Sequence, residues 1–396
     1  MSEWKKVKLG ELYEVHNGLS KGRQFFGTGF PFLTFSNVFN NWFLSEQLES
    51  LVQTTDKERE SCSIKAGDVF ITRTSETMDE LGMSSVALRD YPNATYNGFT
   101  KRLRPITDRV KPRYIGYYLR TPKFRGQFMA FSSMTTRASL ANNDLLNMEV
   151  ELPPMEIQHR IATILSRYDS LIENYQKQIK LLEEAAQRLY KEWFVDLRFP
   201  GHENTKIVDG VPEGWERKKL HEIAEVVLGS SPKSEFYNND KQGLPFHQGV
   251  GSYGTRFVDD NVYSISITRL AEPNSILFSV RAPVGRLNIT KNKIIIGRGL
   301  AAMNHKDGFQ SFLFYMLKER FFMDNIIGNG SIFASISKVE LLDQEFIVPP
   351  MKTIKAFESL ASKLDKKIQG VDTQLRLLIE ARDRLLPKLM SGEITV

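Results

Sequence analysis

The sequence contains two copies of one pattern, and this internal repeat limits the folds open to the chain more than any other feature. Residues near the N-terminus return 211 positions later, and residues between 138 and 189 return 196 positions later. The stretches between these matched ends do not agree. Such a repeat indicates structural units built on one frame, here with two different interiors. The N-terminal matches pair Trp4, Lys8, Leu9, Glu11, Glu14 and Gly18 with Trp215, Lys219, Leu220, Glu222, Glu225 and Gly229.

A long helix is predicted after each of the pairs Pro153–Pro154 and Pro349–Pro350, because apolar residues then recur every three or four positions. The first run, 157–193, corresponds to about 55 Å of helix at 1.5 Å per residue. Two such helices most simply bury their apolar stripes against each other as an antiparallel pair. In the alternative, each helix packs only on its own half. The residues predicted to pack helix on helix are Ile161, Leu165, Tyr168, Ile172, Leu182, Leu189, Leu364, Ile368, Leu375, Leu378 and Leu385.

The segments between the helices contain short runs of β-branched and aromatic residues that end in turn residues, which is typical of strands. Helical patches are predicted at 114–119 and 312–317. Each half is therefore predicted to be a mixed α/β globule followed by one long helix. The polar segment 198–214, rich in glycine and proline, is predicted to be a surface connector. Strands are predicted around Val69 and Leu277 and at 30–35, 262–267 and 294–296.

Length and composition exclude several classes of protein. A chain of 396 residues is expected to form two or three domains. It has 53 Lys+Arg and 47 Asp+Glu, a net charge of +6, which is a mild basic bias. The single cysteine, Cys62, excludes an internal disulfide framework and a thiolate zinc site, and it favours a reducing cytoplasm. No apolar run reaches about 18 residues, so neither a membrane span nor secretion is expected.

No catalytic constellation is found in the sequence. A GxxxxGK[ST] phosphate loop is absent, so nucleotide hydrolysis is not expected. The LPPM and VPPM segments that begin at Leu152 and Val348 lack the polar and aromatic ends of an amino-methyltransferase motif, and they are interpreted as strand-to-helix joints. The six histidines lack metal-ligand spacing. His247 is interpreted as a surface histidine or, alternatively, as a ligand contact.

Two segments are strongly basic. Nine basic residues and one acid occur between 101 and 125, and five basic residues without an acid occur between 281 and 298. Interleaved aromatic and small polar residues accompany them. Cations neutralise phosphates, and Arg, Asn, Gln, Ser and Thr read base edges. Basic surface loops also occur in proteins that bind no nucleic acid, so charge alone leaves both interpretations open.

With these features, the whole chain resembles the specificity subunit of type I restriction-modification enzymes. The segment RDRLLPKLMSGEI at 382–394 is close to the ending typical of that family. Supporting matches lie at 4–12, 215–223 and 279–289. The second copy departs from the family's Pro-Pro signature, with Ile354 at the glutamine position. In the first copy the signature is matched by Pro153, Pro154, Gln158, Ile161, Ala162 and Leu165.

The resemblance implies an α+β fold with an internal pseudo-twofold repeat. Two globular mixed α/β target-recognition domains, 1–153 and 198–348, would be separated by two long antiparallel coiled-coil helices. The central spacer would be 154–197 and the distal spacer 349–396. Each domain would read one half of a bipartite DNA target, and the spacers would fix the distance between the halves.

The resemblance also implies partners. They are double-stranded DNA, two modification (methyltransferase) subunits and restriction subunits, and these subunits would methylate adenine and cleave DNA. The chain itself would be non-catalytic, cytoplasmic and bound to no membrane. It would hold no cofactor, since S-adenosylmethionine, ATP and Mg would belong to the partners. Alternatives are a specificity module of a related methyltransferase-nuclease, an orphan regulator, or a coiled-coil protein scaffold.

Because the two interiors differ, the domains are expected to read unlike half-sites through polar groups on loops. The candidate DNA contacts are Lys21, Arg23, Arg73, Thr74, Ser75, Lys101 and Arg102 in the first half and Lys233, Gln248, Arg281, Arg286 and Arg298 in the second.

Overall fold

The computed structural model describes residues 4–75, 81–131, 138–321 and 335–396. The chain divides into two compact units. Unit 1 comprises Met1–Asn174 and Gln374–Val396, and unit 2 comprises Tyr175–Thr373. Both boundaries fall inside long helices, whereas the domain limits predicted from the sequence fall at helix ends, and those limits stay a prediction. In the described ranges no helix is long and apolar enough to cross a membrane.

Unit 1 is built around a four-stranded antiparallel sheet of order β2-β9-β5-β7. A smaller sheet has the order β4-β3-β8, and the pairs β1-β11 and β6-β10 are separate two-stranded sheets. The strands are β1 (Lys5–Lys8), β2 (Tyr13–Asn17), β3 (Phe26–Leu33), β4 (Leu51–Val52), β5 (Val69–Thr72), β6 (Thr74–Ser75), β7 (Ser84–Val86), β8 (Thr95–Tyr96), β9 (Thr100–Pro105), β10 (Ala138–Ser139) and β11 (Glu149–Leu152). The short helices are α1 (Phe35–Asn40), α2 (Asp56–Ser61), α3 (Pro112–Tyr118), α4 (Pro122–Phe131) and α5 (Asn142–Asn147).

Unit 2 repeats this plan with the four-stranded sheet β15-β23-β20-β21 and the pair β14-β24. Its second sheet is larger, with the order β16-β18-β17-β22-β19. The strands are β12 (Ile207–Val208), β13 (Val211–Pro212), β14 (Glu216–Lys219), β15 (Ala224–Leu228), β16 (Tyr237–Asn238), β17 (Leu244–His247), β18 (Tyr263–Ser264), β19 (Leu270–Ala271), β20 (Ile276–Ser279), β21 (Leu287–Ile289), β22 (Ile294–Ile296), β23 (Leu300–His305) and β24 (Glu345–Val348). The short helices are α7 (Leu220–Ile223), α8 (Gln310–Phe321) and α9 (Lys338–Leu342).

The two predicted long helices are present as α6 (Met155–Phe194) and α10 (Met351–Met390). Each begins directly after its Pro-Pro pair, where the fixed backbone of proline suits a helix start. Helix α10 ends two residues before Gly392, whose φ of 75° is the left-handed conformation common after helices. The period of the apolar residues therefore predicted both helices correctly.

Each unit contains part of both long helices. In unit 1 the Arg382 Nη1 of α10 lies 3.1 Å from the Asp169 Oδ1 of α6. In unit 2 the ring of Tyr190 on α6 lies 5.8 Å from the ring of Phe357 on α10. Higher residue numbers on α6 thus meet lower numbers on α10, so the helices are antiparallel. The alternative, in which each helix packs only on its own half, is wrong.

The residues predicted to pack helix on helix are either buried or half-buried. The apolar core of unit 1 includes residues from both helices, so helix packing and globule packing form one continuous core. The buried members of the predicted set are Ile161, Leu165, Ile172, Ile368 and Leu375. The half-buried members are Tyr168, Leu182, Leu189, Leu364, Leu378 and Leu385.

The strand predictions around Val69 and Leu277 and at 294–296 were confirmed, and those at 30–35 and 262–267 were confirmed only in part, since β3 ends at Leu33. The run 294–296 is strand β22, whereas 262–267 forms only the two-residue strand β18. The hydroxyl of Ser264 accepts from Ser266 N at 3.1 Å and donates to Ser266 O at 3.2 Å. Such local side-chain bonds compete with the strand ladder. The segment therefore turns, and it leaves Ile265 and Ile267 exposed.

Candidate nucleic-acid interface

Several segments that carry predicted contacts meet at one edge of the four-stranded sheet of unit 1. Antiparallel pairing places Asn17 opposite Lys101, and Thr72 opposite Thr100. Strands β2 and β5 therefore end, and β9 begins, at the same edge. The backbone of Arg73, just after β5, donates to Phe99 O at 3.0 Å. We call this the polar edge of unit 1, formed by residues 17–23, 72–75 and 97–101.

Three of the predicted contacts on this edge differ in exposure and in the bonds that their side chains already make. The side chain of Arg23 is exposed. Lys21 forms an ion pair with Glu58, with 2.6 Å between Nζ and Oε1, and this bond lowers the pKa of the glutamate. Arg73 is half-buried, and its Nε is buried without a hydrogen-bond partner. An unsatisfied buried donor of this kind costs free energy until an acceptor reaches it.

The structure corrects the prediction for Lys101 and Arg102, which were expected on loops. Both lie in strand β9, with exposed fractions of 4% and 2%. The guanidinium of Arg102 donates to Ser63 O at 2.7 Å, and Lys101 Nζ donates to Asn142 Oδ1. Burial and the charge of Arg73 lower the pKa of Lys101. These two cations therefore support the edge from behind and are not exposed contacts.

Thr74 and Ser75 form strand β6, not a loop, and their side chains lie outside the described part of the structure. Their backbone pairs with Ala138 and Ser139 in antiparallel register. This pairing places both residues directly beside Arg73. They are therefore part of the polar edge by backbone position.

Unit 2 has the equivalent edge. Antiparallel pairing places Leu228 opposite Ala301, and Ser279 opposite Leu300, so β15 and β20 end where β23 begins. The segments 229–233 and 280–286 follow β15 and β20, and Arg298 precedes β23. Gly299 N donates to Gln248 O at 3.2 Å, which joins the end of β17 to this cluster. We call residues 229–233, 248, 279–286 and 297–300 the polar edge of unit 2.

Ser231 links two of the predicted contacts. Its Oγ donates to Gln248 Oε1 at 2.7 Å and accepts from Arg298 N at 3.2 Å. Gln248 and Arg298 both have exposed side chains. The hydroxyl therefore fixes the side-chain amide of Gln248 and the backbone of Arg298 on one short stretch of surface, and glutamine and arginine are residues that read base edges.

The other three predicted contacts of unit 2 flank this stretch. Lys233 is exposed, and its Nζ is 3.9 Å from Glu235 Oε1. Arg281 is exposed and lies in an isolated bridge with Ser335. Arg286 is half-buried, and its backbone N donates to Ser279 Oγ at 2.8 Å. All five predicted residues of unit 2 thus lie on the polar edge.

A pair of glycines shows that the two edges have the same construction. A Cβ on Gly18 would lie 2.0 Å from Asn97 O, and one on Gly229 would lie 2.1 Å from Gly297 O. No side chain fits at such a distance. The repeated glycine at an offset of 211 therefore marks the point where two loops cross closely. Ser20 and Ser231 follow the two glycines at the same spacing.

Sequence reasoning missed two features of the edges and misread a third. Phe99 is 62% exposed on the edge of unit 1. The hydrogen bonds by which Ser231 joins Gln248 to Arg298 were also missed, although the repeated Gly-x-Ser spacing was a usable signal. His247 is buried between Ser252 Oγ at 2.7 Å and Asp260 Oδ1 at 2.9 Å. It is therefore neither a surface histidine nor an exposed ligand contact, and it fixes the loop behind Gln248.

Each globule is tied to the long helices by a repeated tyrosine–aspartate pair. Tyr117 donates to Asp169 in unit 1, and Tyr315 donates to Asp365 at 2.7 Å in unit 2. Burial raises the pKa of both tyrosines, so they remain donors. The arginine on the carboxylate differs, because Arg382 comes from α10 in unit 1 and Arg256 from the globule in unit 2.

In the second copy Ile354 stands where the Pro-Pro signature has glutamine. Glu358, one helical turn later, makes the contact that the glutamine makes in the first copy. In unit 1, Gln158 Oε1 accepts from Lys111 N at 2.9 Å, just before α3. In unit 2, Ile354 is buried, and Glu358 accepts instead from Phe312 N at 2.9 Å in the first turn of α8. Both side chains satisfy backbone donors that a helix start leaves unpaired. The globule therefore docks on its long helix in both copies.

Comparison with known proteins agrees with the repeat. A family model described as type I restriction modification DNA specificity domain matches residues 1–184 and again residues 212–377. The type I restriction enzyme MjaIX specificity subunit of Methanocaldococcus jannaschii is 28% identical over 415 residues, which cover 100% of this chain and 94% of that protein. The type I restriction enzyme HindI specificity subunit of Haemophilus influenzae is 22% identical over 472 residues and covers 100% of both chains.

A solved structure has a similar fold. The S subunit of the type I restriction-modification system of M. genitalium aligns with a TM-score of 0.59 and 15% sequence identity. The alignment covers 98% of this chain and 96% of that one. The two proteins therefore share a fold.

Proposed function

The chain belongs to the type I restriction modification DNA specificity domain family, and from this premise we propose that its two polar edges read the two halves of a bipartite duplex DNA target. Unit 1 reads one half-site and unit 2 the other. Because Phe99, Gln248 and Arg298 have no identical counterparts in the other half, the two half-sites differ in sequence.

One observation carries this proposal. Predicted contacts that are far apart in the sequence converge on the same edge of the equivalent sheet in both units. Arg23 and Arg73 do so in unit 1, and Gln248, Arg281 and Arg298 do so in unit 2. Arginine and glutamine side chains on one edge provide both phosphate neutralisation and base readout. A coiled-coil scaffold has no need for such a double edge, so DNA recognition is the better-supported function.

The chemistry of modification and cleavage belongs to other subunits in this proposal. The relatives are named specificity subunits, and in the described residues no group of three or more His, Cys, Asp or Glu could hold a metal ion. We infer that the chain binds no S-adenosylmethionine, ATP or Mg itself. Two modification subunits and the restriction subunits supply these, and the complex acts in the cytoplasm.

The test is a genome-wide map of methylated adenines, made in cells that carry the modification subunits with the wild-type chain or with a variant. The wild type should give one bipartite motif. Arg298→Ala should relax the motif in one half only, because each good base contact contributes about 1–3 kcal/mol of discrimination. Arg73→Ala should relax the other half. Preference at the affected base should fall roughly tenfold to a hundredfold.

Lys306 supplies the matched control. It is an exposed cation at the opposite end of strand β23 from Arg298, where its Nζ donates to His221 O at 2.7 Å. Lys306→Ala should leave the motif unchanged. The proposal fails if Lys306→Ala and Arg298→Ala have the same effect, if Arg298→Ala alters both half-sites, or if the wild type yields no bipartite motif.

A further inference from the structure

A tight turn occupies the same place on the polar edge of each unit. Residues 97–100 form the turn in unit 1, and residues 297–300 form it in unit 2. In both turns the backbone N of the last residue donates to the carbonyl oxygen of the first, at 3.2 Å in unit 1 and 3.0 Å in unit 2. The last residue of each turn also begins the central strand, β9 or β23. We call these two segments the edge turns.

Hydrogen bonds to the neighbouring strand show which residues of the edge turns are equivalent. In unit 1, Arg73 N donates to Phe99 O at 3.0 Å. In unit 2, Val280 N donates to Gly299 O at 2.9 Å. Arg73 and Val280 each follow directly after the strand that pairs with the central one, β5 or β20. Phe99 therefore stands where unit 2 has Gly299.

Each edge turn presents one side chain at its tip, because the other tip residue is a glycine. A Cβ on Gly98 would lie 2.5 Å from the hydroxyl oxygen of Ser20, and one on Gly299 would lie 2.5 Å from a backbone oxygen. Both distances are too short for a side chain unless the neighbour moves. The tip of unit 1 therefore presents Phe99 alone, and the tip of unit 2 presents Arg298 alone.

The ring of Phe99 is exposed, whereas its backbone is fixed. Its exposed fraction, 62%, is the largest among the large apolar side chains described in unit 1. Its N donates to Asn97 Oδ1 at 2.8 Å, and Asn97 Nδ2 donates in turn to Leu33 O at 3.0 Å. With its carbonyl bonded to Arg73, the residue has little backbone freedom left to lose when a partner binds, which favours affinity.

The position of Phe99 distinguishes it from an ordinary exposed side chain. Single exposed apolar residues are common on protein surfaces. The turn that carries Phe99, however, bridges to the segment 17–23 and bonds to Arg73, and both belong to the polar edge. The equivalent turn carries Arg298, whose exposed side chain is of a type that reads bases. Phe99 therefore occupies a base-reading position.

The chemistry of the ring limits what it can recognise. A phenyl group has no donor or acceptor with which to pair a base edge. In the major groove the apolar group on a base edge is the 5-methyl of thymine, and apolar side chains such as phenylalanine contact it. Arginine in such a position prefers guanine O6 and N7. The two edge turns thus suit different bases.

We propose that Phe99 is a specificity-determining residue of unit 1, and that its ring selects a thymine by contact with the 5-methyl group. The thymine lies in the half-site that unit 1 reads. Because the polar edges are proposed to read DNA, this role of Phe99 rests on that function. It adds the identity of one base and the residue that selects it.

The experiment uses the full chain in complex with the modification subunits and a duplex that carries the mapped motif. In the half-site that Arg298→Ala leaves unchanged, deoxyuridine replaces one thymine at a time on either strand. Each replacement removes one methyl group and keeps every hydrogen-bonding group. One of them should weaken wild-type binding about fourfold, the expected effect of losing one buried methyl contact. Phe99→Ala should bind this duplex and the thymine duplex equally.

Ile106→Ala is the matched control. Ile106 is 58% exposed and follows β9 at the end opposite to Phe99. This variant should bind every duplex as the wild type does. Because both side chains are exposed, both variants should also keep the melting temperature of the wild type, which checks that they are folded.

The outcomes separate the role of Phe99 from DNA reading itself. If the wild-type complex prefers no duplex over another, the polar edges do not read DNA, and the role of Phe99 falls with them. If the wild type reads its bipartite site but no replacement in this half-site weakens binding, DNA reading stands and the role of Phe99 is overturned. The same holds if Phe99→Ala keeps the wild-type preference for thymine. A ring inserted between bases would give that last result, since Phe99→Ala would then weaken both duplexes equally.

Discussion

Replacing Arg256 by methionine measures how far unit 2 depends on the ion pair between its globule and helix α10. Arg256 is 2% exposed, and its Nη2 lies 2.7 Å from Asp365 Oδ1. Tyr315 donates to the same oxygen at 2.7 Å. Methionine keeps most of the length and apolar contact of the side chain. The change therefore removes the charge and leaves Asp365 with the tyrosine alone. It also removes the cation from Glu183, whose Oε1 lies 3.6 Å from Arg256 Nη1.

The equivalent pair in unit 1 sets the scale. Arg382 and Asp169 are 3.1 Å apart, and their side chains are 16% and 30% exposed, against 2% and 21% for Arg256 and Asp365. Removing one partner of a buried pair costs about 3–5 kcal/mol, whereas a more exposed pair contributes about 1 kcal/mol or less. At roughly 2–4 °C per kcal/mol for a unit of this size, Arg256→Met should lower the melting temperature of unit 2 by about 6–20 °C. Arg382→Met should lower that of unit 1 by only a few degrees.

Differential scanning calorimetry of the full chain makes the comparison. The double variant Arg256→Met/Asp365→Leu should regain part of the loss, because the buried carboxylate that lost its cation is gone. Glu183 and the hydroxyl of Tyr315 still lose their partners. If Arg256→Met shifts melting no more than Arg382→Met does, the burial argument is refuted. If the double variant is no more stable than Arg256→Met, the loss comes from packing and not from the uncompensated carboxylate.

Two further predictions concern the side chains that start α3 and α8. Gln158→Leu should destabilise unit 1 by about 3 kcal/mol or more, because it leaves Lys111 N and the carbonyls of Arg109 and Pro153 without a partner; urea unfolding should show this, and an unchanged midpoint would contradict it. Burial raises the pKa of Glu358 above its ordinary value of 4.5, so the folded state binds its proton more tightly, and the contribution of Glu358 to stability is lost as the pH rises above about 4.5. Urea unfolding between pH 4 and 7 should show wild type losing stability relative to Glu358→Gln as the pH rises, and a pH-independent difference would contradict the assignment.

The helices could be predicted because apolar periodicity is a local pattern. The repeat could be predicted because it is found by comparing the sequence with itself. The period of three and four predicted α6 and α10 almost to their ends, and the offset of 211 placed Gly18 and Gly229 at equivalent crossings. Neither signal needs knowledge of distant contacts. The presence of cations at the polar edges was also predictable, since four of them, Lys101, Arg281, Arg286 and Arg298, lie in segments of high charge density.

Burial of individual cations was not predictable. Lys101 and Arg102 belong to the same basic run as Arg104. The end of α2 nevertheless lies beside β9, and backbone carbonyls there accept from the guanidinium of Arg102. That acceptor lies about forty residues away, at Ser61 and Ser63, and no local pattern indicates it. The equivalent roles of Gln158 and Glu358 could not be predicted for the same reason, because the prediction requires knowing which helix start each side chain faces.

Unit 1 combines two segments that lie far apart in the sequence, so its core can be completed only late in synthesis. Its core includes Leu386, Leu389 and Met390 from the last turns of α10, and a Cβ on Gly392 would lie 3.3 Å from the ring of Trp4. Unit 2 ends at Thr373. Although domains generally fold in the order of synthesis, the first unit cannot close its core until residues 386–390 have been synthesised. The second unit has all of its residues earlier, so a released chain truncated after residue 373 would hold a complete unit 2 and an open unit 1.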